Sequence, residues 1–478
     1  MQRRKFIKTT GTAALGLGAF NLSGAGLLMP EELFISQRPP VSKRNFTSKA
    51  VEAKIKEVKA AIADPELAWM FENCYPNTLD TTVEMGSLEG KADTFVITGD
   101  IHAMWLRDST AQVWPYMPLI NADDELKLLI QGLINRQAKC VLLDPYANAF
   151  NKDATQSAEW NDDEPKMRPG LHERKWEIDS LCYVMRLAHD YWKRTGDTSL
   201  FDAEWQKAMK VIVETFKTEQ RLYGESPYYF IRKTSAMIDA PVFGGTGRPI
   251  KPTGMICSMF RPSDDATLFP FLVPSNLFAM QELRHISDIF NEGLNNKTFS
   301  QECTTLASEI EKGISKFAMT DHLDFGKIYA YEVDGFGNKV FMDDANVPSL
   351  MSLPYLGIHQ PGDEIYKNTR KFLLSENNPY FLKGKAAEGQ ASPHTGKVNI
   401  WPMGIILRAM TSTDDQEIVK CLKMLKATHA GKGFMHESFN KDDASKFSRS
   451  WFAWANTLFG EMIIRIYDER KSLLKVNF

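Results

Sequence analysis

Apolar residues recur along this chain at intervals of three and four, and that periodicity constrains the fold more than any other feature. Ile178, Leu181, Cys182, Met185 and Ala188 form one stripe, Ala279, Leu283, Ile286 and Phe290 a second, and Trp451, Ala455, Leu458, Met462 and Ile466 a third. Further helical candidates cover 47–62, 123–142, 199–219, 298–317, 346–357, 362–375, 400–411 and 414–429. Turns such as Thr195-Gly196-Asp197 and Pro361-Gly362-Asp363 separate them. Amphipathic helices joined by short returns bury their stripes against one another, and polar loops at near-regular intervals point to helical hairpins closing into a toroid. The expected fold is all-α dominated, an (α/α)6 barrel. Strand patterning is local: residues 327–342 alternate around Asp334-Gly335 and Gly337-Asn338, which predicts a small β-hairpin inserted over one rim. No Ser-rich, Pro-rich or charged linker follows residue 45, so residues 31–478 are expected to form a single domain.

Residues 1–30 are set apart from that domain. Arg3-Arg4-Lys5-Phe6-Ile7-Lys8, the apolar stretch Gly11 to Phe20 and the small residues of 23–26 have the layout of a bacterial export signal, which predicts an exported, periplasmic protein. The paired arginines also suit a twin-arginine signal. No later segment reaches the roughly 18 uninterrupted apolar residues a membrane span needs. The 57 basic residues nearly match the 60 acidic ones, net charge is −3, and no long like-charge block exists. That balance excludes a nucleic-acid footprint and favours a neutral substrate. The six cysteines, at 74, 140, 182, 257, 303 and 421, stand singly, which argues against thiolate metal sites and leaves them expected as unpaired core residues.

The densest chemistry lies in residues 98–112, Thr-Gly-Asp-Ile-His-Ala-Met-Trp-Leu-Arg-Asp-Ser-Thr-Ala-Gln. Asp100, His102, Trp105, Arg107 and Asp108 together suit a sugar, whose C–H faces stack on an indole and whose hydroxyls engage Asp and Arg. The plainer alternative is a buried ion pair of Arg107 with Asp108 or Asp100 beside a core Trp105. Further clusters are Asn161-Asp162-Asp163-Glu164 with Arg174 to Asp179, Phe260 to Asp265, Asp343 to Asn346, Asn399 to Pro402, and Met435 to Phe439 with Arg449 to Trp454. Hydrolysis of a glycosidic bond needs one protonated and one ionised carboxyl group. The adjacent Asp264 and Asp265 are acid candidates, because one can shift or hold the other, although an Asp pair after Ser also suits the cap of a following helix. Glu437 is the candidate base, and its neighbour His436 fits a structural histidine as well. Asp162, Asp163 and Glu164 could hold a divalent metal, although a solvated acidic loop fits them better. No phosphate cradle, nucleophile elbow or zinc helix is present, so no cofactor is expected.

These clusters resemble glycoside hydrolase family 125, the exo-α-1,6-mannosidases, over residues 45 to 470. The carriers are Gly99-Asp-Ile-His-Ala-Met-Trp-Leu-Arg-Asp-Ser109, Lys175-Trp-Glu-Ile-Asp-Ser180, Phe260-Arg-Pro-Ser-Asp-Asp265 after Gly254-Met, Ile400-Trp-Pro-Met403 and His436-Glu-Ser438. The resemblance implies an (α/α)6 barrel, metal-independent removal of single mannose units from non-reducing α-1,6 ends of an oligosaccharide, and inversion at the anomeric carbon. It implies an Asp general acid in the Arg-Pro-Ser-Asp-Asp motif, Asp264 placed first and Asp265 retained, with Glu437 as general base. Trp105, Arg107, Asp108, Trp176, Glu177 and Arg261 would line the terminal-sugar subsite, with Asp100, His102, Trp401 and His436 as further substrate contacts. Another (α/α)6 glycosidase, a polysaccharide lyase and a non-catalytic exported glycan-binding protein are the alternatives. Subsites beyond the first sugar and the oligomeric state are not legible.

Overall fold

The structure, a computed structural model, describes residues 34–156 and 160–478. The predicted export segment 1–30 lies outside the described residues. Thirteen α-helices dominate the described chain, and its strands are short and grouped in sheets of two or three. The architecture is an (α/α)6 barrel.

Two kinds of helix build it. Leu106–Val113, Ile178–Thr195, Val273–Asp288, Pro402–Met410 and Ala453–Arg470 pack in neighbouring pairs around the centre, and Ala453–Arg470 returns to Leu106–Val113. Every residue of Leu106–Val113 and of Pro402–Met410 is buried, as expected of helices covered on all sides. Buried polar groups also tie Leu106–Val113 to its neighbours: Gln112 donates to Thr82 Oγ1 at 3.2 Å and to the Ile97 carbonyl at 3.1 Å, while Gln137 donates to the hydroxyls of Ser109 and Thr110 at 2.9 Å. Outer helices include Asp124–Leu143, Ala203–Glu219, Lys297–Phe317 and Asp415–Thr428, which pack on one another or on the inner set.

The two kinds also begin differently. Each of these outer helices has a capping side chain, Asp123, Asp202, Asn296 or Asp414, accepting from a first-turn amide. The inner helices start instead from an extended Trp105, Glu177, Leu272, Trp401 or Phe452 that makes no side-chain cap. One contiguous apolar core runs from Phe46 to Leu474. Early and late segments of the described chain meet there: the Ala63 amide donates to the Leu474 carbonyl at 2.8 Å, and Lys426 pairs with Asp64 at 2.6 Å.

The structure corrects two sequence expectations. Residues 346–357 are turns rather than a helix. Pro348, Pro354 and Gly357 interrupt the run, and Asp343 takes the amides of Leu350 and Met351 at 2.9 and 3.0 Å, replacing helical bonds. The segment is nonetheless buried, accepting Tyr183 and Arg186 from the inner helix 178–195 at the carbonyls of Val347 and Leu356. The hairpin over 327–342 splits: Gly326–Tyr329 pairs with Met319–His322, whereas Glu332–Val333 pairs with Lys339–Val340 and with Phe271–Leu272. Three helices, Pro65–Cys74, Asn77–Thr81 and Leu106–Val113, lie outside the sequence expectations, as does the hairpin of Val83–Leu88 with Lys91–Val96. All six cysteines are free and buried.

Candidate active site

A cavity of about 700 Å³ opens where the inner helices begin, large enough for a small oligosaccharide end. Its walls come from the segments that lead into those helices: Trp105, Arg107 and Asp108; Lys175; Asp264 and Asp265; His394 and Trp401; Glu437, Arg449, Phe452 and Trp454. Because each entry segment is extended, neighbouring side chains face opposite ways. Lys175 reaches the cavity, Trp176 turns into the core, and Glu177 points back beneath the cavity wall.

Arg107 organises the cavity wall. Its Nη1 meets Glu177 at 2.5 Å and Asp179 at 3.1 Å, its Nη2 meets Asp264 at 3.0 Å, and its Nε lies 3.6 Å from Asp108. Four carboxyl groups thus surround one guanidinium. Burial drives Glu177 well above its ordinary 4.5 and pushes Asp179 up to about 6, in both cases against Arg107. Asp108 is likewise raised by burial, opposed by Arg107 and a 2.8 Å bond from Thr98. At Asp264 burial acts in the same direction, but Arg107 and then Lys175 outweigh it and hold this carboxyl well below the usual range.

Asp264 and Asp265 diverge although adjacent. Asp264 has φ +65°, a left-handed conformation that Asp tolerates better than most residues. The loop is tight: the Arg261 amide donates to the Asp265 carbonyl at 2.8 Å and the Asp264 amide to the Arg261 carbonyl at 2.9 Å. No helix follows, so neither Asp is a helix cap. Asp264 turns to Arg107, with 26% of its side chain exposed to the cavity, while Asp265 turns to His394 Nδ1 at 3.0 Å and is 3% exposed. Beneath them Asp344 accepts from Ser263 and Ser392, both at 3.0 Å, tying the Asp265 loop to the His394 loop. Burial lowers the affinity of His394 for a proton, but Asp265, with Glu437 and Asp264 beyond it, raises the imidazole to about 9.

Glu437 enters from another part of the chain. Arg449 lies 3.4 Å from its carboxylate and 3.3 Å from Asp100. The segment is fixed by bonds between Met435 and Phe452 at 2.9 Å and between Ser438 and Ser448 at 3.0 Å. His436, on the opposite face, stacks on Phe447 with ring centroids 4.0 Å apart, and burial lowers its proton affinity.

A family model described as metal-independent alpha-mannosidase (GH125) matches residues 64–464. The chain belongs to glycoside hydrolase family 125. Meiotically up-regulated gene 157 protein of Schizosaccharomyces pombe (strain 972) is 42% identical over 459 residues, spanning 92% of this chain and 90% of that protein. A metal-independent alpha mannosidase of Streptococcus pneumoniae, solved as a non-productive substrate complex with alpha-1,6-mannobiose, is 43% identical with a TM-score of 0.85, covering 89% of this chain and 100% of that one. The GH78 rhamnosidase of Bacillus sp. GL1 matches at 11% identity and a TM-score of 0.53, over 85% of this chain and 35% of that chain, a likeness of fold alone. The GH125 chain is therefore a glycoside hydrolase, an α-mannosidase, and its sequence-predicted residues can be placed on that footing.

Seven of those predicted residues, Trp105, Arg107, Asp108, Asp264, Asp265, Trp401 and Glu437, line the GH125 cavity. The others do not. Trp176 is wholly buried and donates its indole N–H to the Cys257 carbonyl at 2.7 Å, so it supports the wall from the core side. Glu177 lies beneath the wall on Arg107. Arg261 is buried against Glu332 at 2.6 Å, and His436 is behind Glu437. His102 is exposed beside Glu84 at 2.8 Å, and Asp100 reaches the site only through Arg449. Asp163 pairs with Arg232 at 2.6 Å, and among the described residues no group of acidic, His and Cys side chains could hold a metal ion. Sequence reading gave no role to Lys175, His394, Arg449 or Trp454. Alternation around Trp176 could have found Lys175, but His394 stands in a Ser-Pro-His-Thr loop with no periodic signal.

Proposed function

We propose that this α-mannosidase removes single mannose residues from non-reducing α-1,6-linked ends with inversion, using Asp264 as general acid and Glu437 as general base. The observation that carries the reading is that these two carboxyl groups, on separate loops, face one cavity beside Arg107, Asp108 and Trp105. Asp264 is preferred to Asp265 because its carboxyl is open to the cavity while that of Asp265 is turned to His394. The α-1,6 linkage is supported by the mannobiose bound to the Streptococcus pneumoniae relative. Trp105 offers a stacking face, and Arg107 and Asp108 offer the charged groups that grip sugar hydroxyls. Asp264 then protonates the leaving oxygen as Glu437 takes a proton from water, and that water attacks the anomeric carbon from the opposite face.

The test is hydrolysis of α-1,2-, α-1,3- and α-1,6-mannobiose followed by proton NMR. Cleavage of the α-1,6 isomer with β-mannose appearing first is expected; α-mannose first would assign a retaining course, for which the carboxyl separation is about 5 Å rather than about 6.5–9.5 Å. The same assay on Glu437→Gln should show no turnover while mannose binding persists, and retained turnover would remove Glu437 from the reaction.

A further inference from the structure

Glu177 has no sugar to touch. It is fully enclosed, its Oε2 occupied by Arg107 and by Ser180 Oγ at 2.9 Å, while its Oε1 is buried without a donor. Asp264 occupies the neighbouring nitrogen of the same guanidinium, which brings the two carboxyl groups side by side. An ionised carboxylate only accepts, so a buried oxygen without a donor favours the protonated form of Glu177, which can itself donate.

Charge balance favours the same proton. Around Asp264 and Glu177 stand Arg107 and Lys175, with the carboxyl groups of Asp179 and Asp108 on the same guanidinium, Asp239 and Glu173 shared between Lys175 and Arg232, and the His394–Asp265 pair at the cavity side. A largely buried set with more carboxylates than cations favours keeping a proton over an uncompensated charge. Lys175 also binds the Asp264 carbonyl at 2.8 Å, which fixes the residue over Glu177.

We propose that Glu177 and Asp264 form a proton-sharing pair, in which Glu177 holds the proton in the open cavity and passes it to Asp264 when a sugar displaces water. This rests on Asp264 being the general acid. Burial favours the neutral form of Glu177, while Arg107 and Lys175 favour the ionised form of Asp264. Sugar entry removes solvent from the more exposed partner and so favours its neutral form. Glu177 Oε1–H then gives its proton to Asp264, and Glu177 becomes the anion facing Arg107. Asp264 protonates the leaving oxygen as the glycosidic bond breaks. One water proton goes to Glu437 and the hydroxyl to the anomeric carbon; solvent finally takes the proton from Glu437 and returns one to the pair through Asp264, so that one water is consumed. Glu177 acts through Asp264 and is a positioning residue for the proton, not a sugar ligand.

Glu177→Gln tests this. With an amide there, Asp264 loses its proton source and its anion gains a donor. On α-1,6-mannobiose the alkaline limb of the kcat profile is expected to move at least one pH unit downward and kcat at neutral pH to fall about tenfold or more. KM should stay within about twofold, and dinitrophenyl α-mannoside, whose leaving group needs no proton, should be cleaved within about twofold of the wild-type rate. An unmoved alkaline limb, or equal losses on both substrates, would overturn the pair. Infrared spectroscopy of the wild type with isotope-labelled glutamate gives a readout that needs no variant at position 177: a protonated glutamate band at neutral pH should weaken on saturation with mannose, and a band indifferent to mannose overturns the transfer. Wild-type enzyme inert on every mannobiose would instead overturn the mannosidase reading, and full mannobiose turnover by Asp264→Asn would overturn the choice of acid.

Discussion

Arg107 and His394 divide the electrostatic work of the cavity. Arg107 is enclosed by Glu177, Asp179, Asp264 and Asp108, so removing it would strand several buried carboxylates, the kind of change that costs about 3–5 kcal/mol. His394 is more exposed and reports on pH. An unfolded imidazole titrates at 6.5, and in the folded protein His394 titrates at about 9 because Asp265 faces it across 3.0 Å. The folded state therefore binds this proton more tightly. The resulting stabilisation is complete below pH 6.5 and is lost as the pH rises to about 9. The melting temperature of the wild type should fall more across that window than that of His394→Gln, and parallel curves would assign the proton elsewhere. The Trp-Leu-Arg-Asp motif made Trp105, Arg107 and Asp108 legible as a group, whereas the partners of Arg107 come from positions 177, 179 and 264, far apart in sequence.

At the scale of elements, the contrast between capped outer helices and uncapped inner ones follows from what each helix end must do. Asp202 accepts from the amides of Glu204 and Trp205, both at 3.0 Å, and closes the start of Ala203–Glu219 at the surface. Asp202→Ala should lower unfolding free energy by about 1 kcal/mol in a denaturant titration. Asp202→Asn should recover most of it, because the amide oxygen still caps, and a loss equal to that of the alanine variant would credit the Lys91 ion pair instead. Inner helices begin instead from Trp105, Glu177, Trp401 and Phe452, residues placed by packing and by the cavity rather than by end-capping. Their apolar periodicity was legible wherever the helix was long. Leu106–Val113 escaped notice because eight residues rich in polar side chains carry too few turns of stripe. Residues 346–357 misled in the other direction: Leu350, Met351, Leu353 and Leu356 are apolar because the segment is buried between helices, and Pro348 and Pro354 keep it from being one.

At the scale of the molecule, the helices converge on one core that reaches from Phe46 to Leu474 and is closed by contacts of Ala63 and Asp64 with Leu474 and Lys426. We propose that the described chain is a single folding unit. Calorimetry should give one transition whose midpoint rises with mannose, since a ligand that binds only the folded state stabilises all of it. Two resolved transitions, with mannose moving one of them, would divide the barrel.

The sequence by itself indicated the barrel and the loops that carry chemistry, because periodicity and clustered motifs are local patterns, and it left the candidate acid open between Asp264 and Asp265. The tertiary structure decided which member of each motif faces the cavity. Trp176 and Arg261 stand in the same motifs as Lys175 and Asp264, yet both are turned away, Trp176 toward Cys257 and Arg261 toward Glu332. The physical reason is local backbone form: the extended segment sends Trp176 to the face opposite Lys175, the tight turn separates Arg261 from Asp264, and only packing against the barrel fixes which face is which.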